Sequence, residues 1–446
     1  MIIGPVYLVR IFRTAFVVIN SAARAHTILN RNTASSSHRP DMTMPAISGL
    51  CGILPLLQPS ERFRRTRKII QKALGLEMVA TYTSDQERRA AILARQLVIH
   101  PEHFMSEIRR AVIIGSERIV YGYDDSSETL QFAELAEVAM ETFKSAADPT
   151  VGWIVNTFPL LRHIPVWFPG ASFQAKAATF RNVMQRIVEE PFKETIRRIE
   201  STTNPCAPCL VSIALGENST FSHWNTELES LDVIKHAAVS AYIGGIDTSV
   251  SVIYSFFLAM VLYPEAQKKA QAEIDVATGK TRLPTIADRG NLPFIDCIFK
   301  EVLRWAPPTA TIFPHVQNED LLSADGLLMP KGSLILVNLW AIFRDEASYP
   351  EPEQFKPERF LRPNVLDPKA SVFGFGRRLC PGIHLVDNWL WIIFATLLAT
   401  LDISSHVNPE TKEEIKPTVA FTGERISQPL PFKCNISARN PDILEM

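Results

Sequence analysis

One cysteine in this chain stands in a setting that chemistry can use. The run Phe373-Gly374-Phe375-Gly376-Arg377-Arg378-Leu379-Cys380-Pro381-Gly382 places it among glycines and arginines, with the apolar stretch Ile383 to Ala399 directly behind. A thiolate is a soft anionic ligand, and it holds iron only in a sheltered place with positive charge or backbone N–H donors nearby. Glycines let the backbone turn sharply and approach a flat ligand. Arg377 and Arg378 offer guanidinium groups suited to carboxylates. Pro381 stops the chain where a buried helix begins, with its N-terminus toward the sulfur. We therefore read Cys380 as an iron ligand. Two plainer readings explain less. A lone cysteine is usually a small buried hydrophobe, and a dinucleotide loop fails because Leu379 stands where the third glycine is required.

A second group of reactive residues lies in the long apolar helical run Leu231 to Leu262, whose middle reads Ala241-Tyr242-Ile243-Gly244-Gly245-Ile246-Asp247-Thr248-Ser249. Each glycine inside a helix costs roughly 1 kcal/mol relative to alanine, so something should compensate; space for a ligand against the backbone is one candidate. Asp247 and Thr248 supply an acid and a hydroxyl, the ingredients of a proton relay. Close helix packing with a hydrogen-bonded polar pair is the competing explanation. Farther on, Glu301 and Arg304 stand one helical turn apart among apolar residues. Exposed, such a pair is worth only about 0.2–0.5 kcal/mol; buried, it needs further hydrogen bonds, which Pro357-Glu358-Arg359-Phe360 can provide.

These residues together resemble the cytochrome P-450 monooxygenases. Phe373, Gly376, Arg378, Cys380 and Gly382 match every defining position of that family's haem-binding signature. The resemblance implies haem b with the Cys380 thiolate as axial ligand, a ligand that pushes electron density onto iron and favours O–O cleavage. It also implies that Phe373, Arg378 and Gly244 border the haem, that Thr248 hydrogen-bonds bound dioxygen, and that Asp247 helps to feed protons. Glu301, Arg304 and Arg359 are similar to the family's Glu-x-x-Arg helix and later Pro-Glu-Arg-Phe element, implying a buried structural network. In the basic run Glu61 to Lys68, the resemblance maps one haem propionate contact onto Arg67, four residues after Phe63; a solvated basic face is the ordinary reading. His315 of Phe313-Pro314-His315 maps onto the other propionate, against the ordinary reading of a core histidine bonded to a carbonyl.

The fold so implied is mainly α with a smaller β region, the haem lying between a long central helix and the cysteine loop, in one catalytic domain over 1–446. The implied reaction inserts one atom of dioxygen into an apolar organic substrate, with electrons from NADPH through a separate reductase. Arg282-Leu283-Pro284-Thr285 and the Phe373 loop are similar to the fungal secondary-metabolism group that includes O-methylsterigmatocystin oxidoreductase, which implies a terpenoid, polyketide or alkaloid-like substrate. Pocket positions would be Tyr242, Thr309, Ala310, Thr311, Ile312 and Phe421. Two rivals remain at this stage: a reductase-independent haem-thiolate isomerase or dehydratase, and a truncated inactive haem protein.

Composition fits a packed catalytic domain. Of 446 residues, 46% are hydrophobic and 21% charged, enough for a large core and against disorder. Lysine plus arginine (46) balances aspartate plus glutamate (47), giving no electrostatic case for nucleic acid. Six scattered cysteines do not make a disulfide scaffold. Cys206-Ala207-Pro208-Cys209 has metal or redox spacing, yet no second pair follows. Arg10 and Arg13 interrupt the first apolar segment, so neither a signal peptide nor a spanning helix is expected there. The family's usual site, the cytosolic face of the endoplasmic reticulum, would then be reached through surface loops such as Pro165 to Gly170. The β-branched stretches Val6 to Phe12 and Ala15 to Ile19 predict a hairpin, Asn20-Ser21 a cap for a helix over Ala22 to Leu29, Ile69 to Glu200 a largely helical region, Ser201 to Thr226 a linker, and Ser333 to Leu339 a strand.

Overall fold

Two periodicities divide the computed structural model, which describes residues 4–11, 14–123, 127–148, 151–201, 207–216, 227–322, 326–408 and 410–439. Period-two alternation builds the first strands. Val6–Ile11 (β1) and Thr14–Ile19 (β2) pair antiparallel with Val6 opposite Ile19, and β2 alternates half-buried and buried residues along its length. The turn residues 12 and 13 lie outside the described residues. Four later strands are His315–Val316 (β3), Leu321–Leu322 (β4), Leu328–Met329 (β5) and Leu334–Val337 (β6). β6 runs parallel to β2 and antiparallel to β3, giving the sheet order β1-β2-β6-β3.

The expected cap at Asn20-Ser21 is not made. Ser21 precedes a short helix, Ala22–Ala25 (α1), without a side-chain cap bond, and the chain continues as a π-helical turn over His26–Asn30. Asn20 ties the sheet instead: its Nδ2 donates to the Gly4 carbonyl at 3.0 Å, and its Oδ1 accepts from Asn338 Nδ2 at 3.0 Å. A backbone carbonyl and a side-chain amide across the sheet outcompete a local cap here.

Period-3.6 apolar faces build the rest. After Thr43–Ile47 (α2) come Glu61–Leu74 (α3), Leu76–Ile99 (α4), Phe104–Tyr121 (α5), Ser127–Ala147 (α6), Ile154–Thr157 (α7) and Ser172–Glu200 (α8). Ser60 caps α3 by accepting from the Phe63 N–H. The expected linker instead contains a helix, Leu210–Gly216 (α9), preceded by buried Cys209; Cys206 lies outside the described residues. Glu227–Leu262 (α10) is followed by Pro264–Thr278 (α11), Pro293–Trp305 (α12), Leu339–Phe343 (α13), Lys369–Val372 (α14) and Ile383–Thr400 (α15). Leu401–Val407 (β7) then pairs with Glu414–Ile415 (β8) and Cys434–Ala438 (β9).

Helix α10 is the axis of the helical region, packed against α3, α5, α8, α12 and α15. By length and composition α10 and α15 could each cross a membrane. Both bury their apolar residues in one shared core, where Phe256 of α10 stacks on Phe394 of α15 at 4.1 Å. Large apolar side chains reach solvent at the loop before α8, with Trp167 81% and Val166 65% exposed.

Candidate active site

The cysteine loop is held from both sides. The Cys380 N–H donates to the Phe373 carbonyl at 2.8 Å, closing the turn. Gly374 and Gly376 have φ of +87° and +54°, the left-handed region that glycine adopts without penalty. The Gly376 N–H donates to Asn30 Oδ1 at 2.7 Å and the Arg377 N–H to Thr33 Oγ1 at 3.0 Å, anchoring the loop on the π-helical turn and the residues after it. Arg67 on α3 donates from Nη1 to the Leu379 carbonyl at 2.7 Å. Burial pushes the Cys380 thiol pKa up, against the pull of the Gly382 N–H and the Arg67 charge. A metal ion reverses that balance, because coordination deprotonates a thiol outright. Cys380 retains accessible surface although protein closes around it, as a residue lining an internal space does.

The two arginines of the loop part company. Arg377 is exposed and does not face the site, whereas Arg378 turns inward. Arg378 donates from Nε to the Ser37 carbonyl (2.8 Å) and from Nη2 to the Leu57 carbonyl (2.7 Å), and lies 4.1 Å from the centre of the Phe63 ring. Its Nη1 is buried with no hydrogen-bond partner, and burial, then the Arg67 charge, lower its pKa to about 10. A buried guanidinium N–H left over in this way fits a carboxylate of a bound group.

His315 lies in the same basic neighbourhood. It is 3% exposed, and its Nδ1 donates to the Ser36 carbonyl at 2.7 Å. Burial, with Arg39 next, drives its pKa well down, so the ring is neutral and Nε2 carries no proton. A hydrogen bond from His315 to a propionate therefore requires a second proton, which the propionate's own charge would favour. Sequence reading overlooked two neighbours, Arg39 and Arg425. Arg39 is buried and donates from Nε to the Pro55 carbonyl and from Nη1 to the Phe313 and Pro314 carbonyls. Residues from such distant segments leave no local pattern to find.

On α10, an ideal Cβ at Gly244 would meet nothing within 4 Å. This open face lies between Ile243 and Ile246, which are 3% and 1% exposed. The glycine thus leaves ligand space rather than close helix packing. The Thr248 hydroxyl donates to the Gly244 carbonyl at 3.0 Å. Asp247 turns the other way and has no exposed surface. Its carboxylate oxygens lie 2.9 Å from Arg109 Nη2 and 2.8 Å from Lys144 Nζ, close ion pairs that lack hydrogen-bond alignment. Both cations retain some exposure, so they link the buried acid to the surface. A cavity of about 40 Å³ between α4, α5, α10 and α15, lined by Arg89, Ser116, Gly245, Ser249, Leu385 and Val386 among others, joins the α10 flank to the start of α15.

Tyr242 does not line a substrate space. It is fully buried, and its hydroxyl donates to Glu117 Oε1 at 2.5 Å. Two residues along a helix turn the side chain by about 200°, which sets Tyr242 opposite the Gly244 face. Thr309, Ala310 and Thr311 keep partial exposure, Ile312 is 6% exposed, and Phe421 packs edge-on to Trp305 at 6.3 Å.

Glu301, Arg304 and Arg359 come together in the core. Arg304 donates to both Glu301 oxygens at 2.8 Å and Arg359 Nε to the same oxygens at 3.2 and 3.1 Å, and the Lys356 N–H adds a bond of 2.7 Å. The carbonyls of Phe343, Pro350, Glu351, Pro352 and Gln354 accept further guanidinium protons. This full hydrogen bonding offsets desolvation.

The cysteine with its inward arginine, the open glycine face and the acid–hydroxyl pair fit a haem. Among the described residues no other cluster of histidine, cysteine or carboxylates is arranged to hold a metal. The family model for cytochrome P-450 matches residues 2–427. Cytochrome P-450 monooxygenase 208 of Postia placenta is 36% identical over 443 residues, covering 98% of this chain and 84% of that protein. The monooxygenase claR of Ampulloclitocybe clavipes is 35% identical over 452 residues, covering 100% and 82%. Among solved structures, a zebra fish cytochrome P-450 with progesterone superposes with a TM-score of 0.78 at 20% identity, over 98% of this chain and 97% of that one. That structural likeness speaks for the fold; the sequence matches and the thiolate loop say more, and this chain belongs to the cytochrome P-450 family.

Proposed function

We propose that this haem-thiolate monooxygenase inserts one oxygen atom into a small apolar substrate of fungal secondary metabolism, with Cys380 holding the iron and Asp247 and Thr248 handling protons. The observation that carries the reading is the pairing of the Cys380 loop with an α10 face that is open at Gly244 and polar at Thr248. Haem, when bound, supplies the iron at which dioxygen is activated. Arg378 offers its spare Nη1 proton to one haem carboxylate. Arg67 fixes the loop through Leu379 and brings positive charge to the sulfur. The Thr248 hydroxyl, tethered to the Gly244 carbonyl, presents its oxygen lone pairs and a reorientable proton on the open face. Asp247, buried and paired with Arg109 and Lys144, is the acid of the relay that feeds protons toward Thr248.

Electrons would come from NADPH through a separate reductase. The exposed Val166-Trp167-Phe168 loop suits contact with a membrane, consistent with the cytosolic face of the endoplasmic reticulum. One catalytic domain spanning the chain accommodates all of this. The substrate class follows the half-buried and buried positions Thr309 to Ile312 and Phe421, which are mostly apolar.

The test is the dithionite-reduced, carbon monoxide difference spectrum of the haem-loaded protein and of Cys380→Ala. The red-shifted Soret band of a thiolate-ligated haem is expected in the first and not in the second. A band at the histidine-ligated position in both would remove Cys380 from the iron. Turnover without NADPH and reductase would favour an isomerase or dehydratase.

A further inference from the structure

The segment between Phe421 and Pro429 forms a narrow hairpin closed by a bridge between those two residues. Its base is fixed to the helical core: the Ser427 N–H donates to the Pro308 carbonyl at 2.9 Å, and Ser251 of α10 donates to the Ser427 carbonyl at 2.5 Å. Its tip reaches in two directions. Glu424 lies 3.7 Å from Lys144, the cation that also holds Asp247. Arg425, the next residue, lays its guanidinium 4.7 Å from the centre of the Phe313 ring, which Arg39 also approaches, at 5.0 Å. The tip thus spans from the Asp247 side of α10 to the segment Thr309 to His315.

Two arginines share one aromatic ring, and their needs differ. The Nε and Nη1 of Arg39 donate to three backbone carbonyls. Arg425 Nε is buried with no hydrogen-bond partner, and among the described residues no carboxylate lies within ion-pairing distance of it. Arg425 is half-buried with its Nε enclosed, and an enclosed donor without an acceptor is costly; a cation–π contact returns only part of that cost. Burial lowers the Arg425 pKa, and the Asp148 charge opposes it. Arg378 has a similar spare N–H, but it sits at the cysteine loop, bonded to Ser37 and Leu57. The spare donor of Arg425 sits on the hairpin that packs on α10 one turn past Thr248.

We propose that Arg425 is a specificity-determining residue that binds the carboxylate of an otherwise apolar substrate. The substrate is then an amphipathic acid, its charged end at Arg425 and Phe313 and its hydrocarbon body among Ile312, Phe421 and the Gly244 face. This deepens the monooxygenase reading and rests on it. The same carboxylate chemistry exists in the haem propionates, so the experiment separates the two.

The haem-loaded protein is titrated with straight-chain acids from octanoic to hexadecanoic and with their methyl esters, following the spin-state change of the ferric Soret band. The wild type is expected to bind the best acid roughly tenfold or more tighter than its ester, as a charge-assisted hydrogen bond gives. Arg425→Gln should abolish that ratio by weakening the acid alone, and Arg425→Lys should restore part of it. Haem content and the carbon monoxide spectrum of each variant are recorded alongside. Equal binding of acid and ester by the wild type, binding of neither, or a ratio unchanged in Arg425→Gln overturns the proposal. Lowered haem occupancy in Arg425→Gln, with an unchanged acid-to-ester ratio in the fraction that keeps haem, assigns Arg425 to a propionate and also overturns it. A wild type without the thiolate spectrum refutes the monooxygenase reading itself, a distinct result.

Discussion

Glu117 shows how far burial alone can move one group. It has no exposed surface, and one oxygen accepts from Tyr242. Desolvation raises its pKa to about 8, against weaker opposing contributions from the Tyr242 hydrogen bond and the Arg89 charge. The folded protein therefore keeps a proton that the unfolded chain releases near the ordinary carboxyl value. Between the two values the native state binds more protons, so stability falls as pH rises through that window and levels off above about 8. Glu117→Gln is expected to flatten this fall, leaving a melting temperature less dependent on pH from about 5 to 8. Parallel melting curves for wild type and variant across that range would show that Glu117 does not titrate there. The same residue explains why Tyr242 belongs to the core: its hydroxyl serves the buried acid.

Among elements, the cysteine loop depends on its glycines in unequal ways. Gly382 and Gly374 leave a Cβ at least 3.3 Å of room, but a Cβ at Gly376 would stand 2.6 Å from the Leu29 carbonyl and 2.7 Å from Thr33 Oγ1. The positive φ of Gly376 adds roughly 1–2 kcal/mol for any other residue. Gly376→Ala should therefore destabilise the fold by about 2 kcal/mol or more and loosen the loop from the Asn30 turn. Chemical denaturation and haem titration check it together. Unchanged stability and haem affinity would mean that the loop has slack the geometry does not show.

For the whole molecule, Glu301 joins α12 to the chain between Tyr349 and Arg359. It neutralises two arginines that are otherwise buried, at 0% and 7% exposure. Removing one partner of a buried ion network leaves uncompensated charge, at a cost of about 3–5 kcal/mol. Glu301→Gln is accordingly expected to lower the unfolding free energy, read by denaturant titration, by that amount and to impair haem uptake as a consequence. A loss below about 1 kcal/mol would indicate that water reaches the two guanidinium groups.

The sequence by itself determined whatever depends on residue type at short range. Cys380 among its glycines, the Glu301 and Arg304 spacing, the apolar length of α10 and the alternation in β2 were all legible, because helix and strand periods and ligand chemistry act locally. Helical geometry alone sets Tyr242 opposite Gly244, and placing Tyr242 among the pocket positions ignored it. Only the tertiary structure decided which of Arg377 and Arg378 turns inward, that Asn20 ties a sheet instead of capping a helix, and that Arg39 and Arg425 meet at Phe313. These outcomes rest on partners dozens to hundreds of residues away, and burial then sets which donors are satisfied and which are left for a ligand.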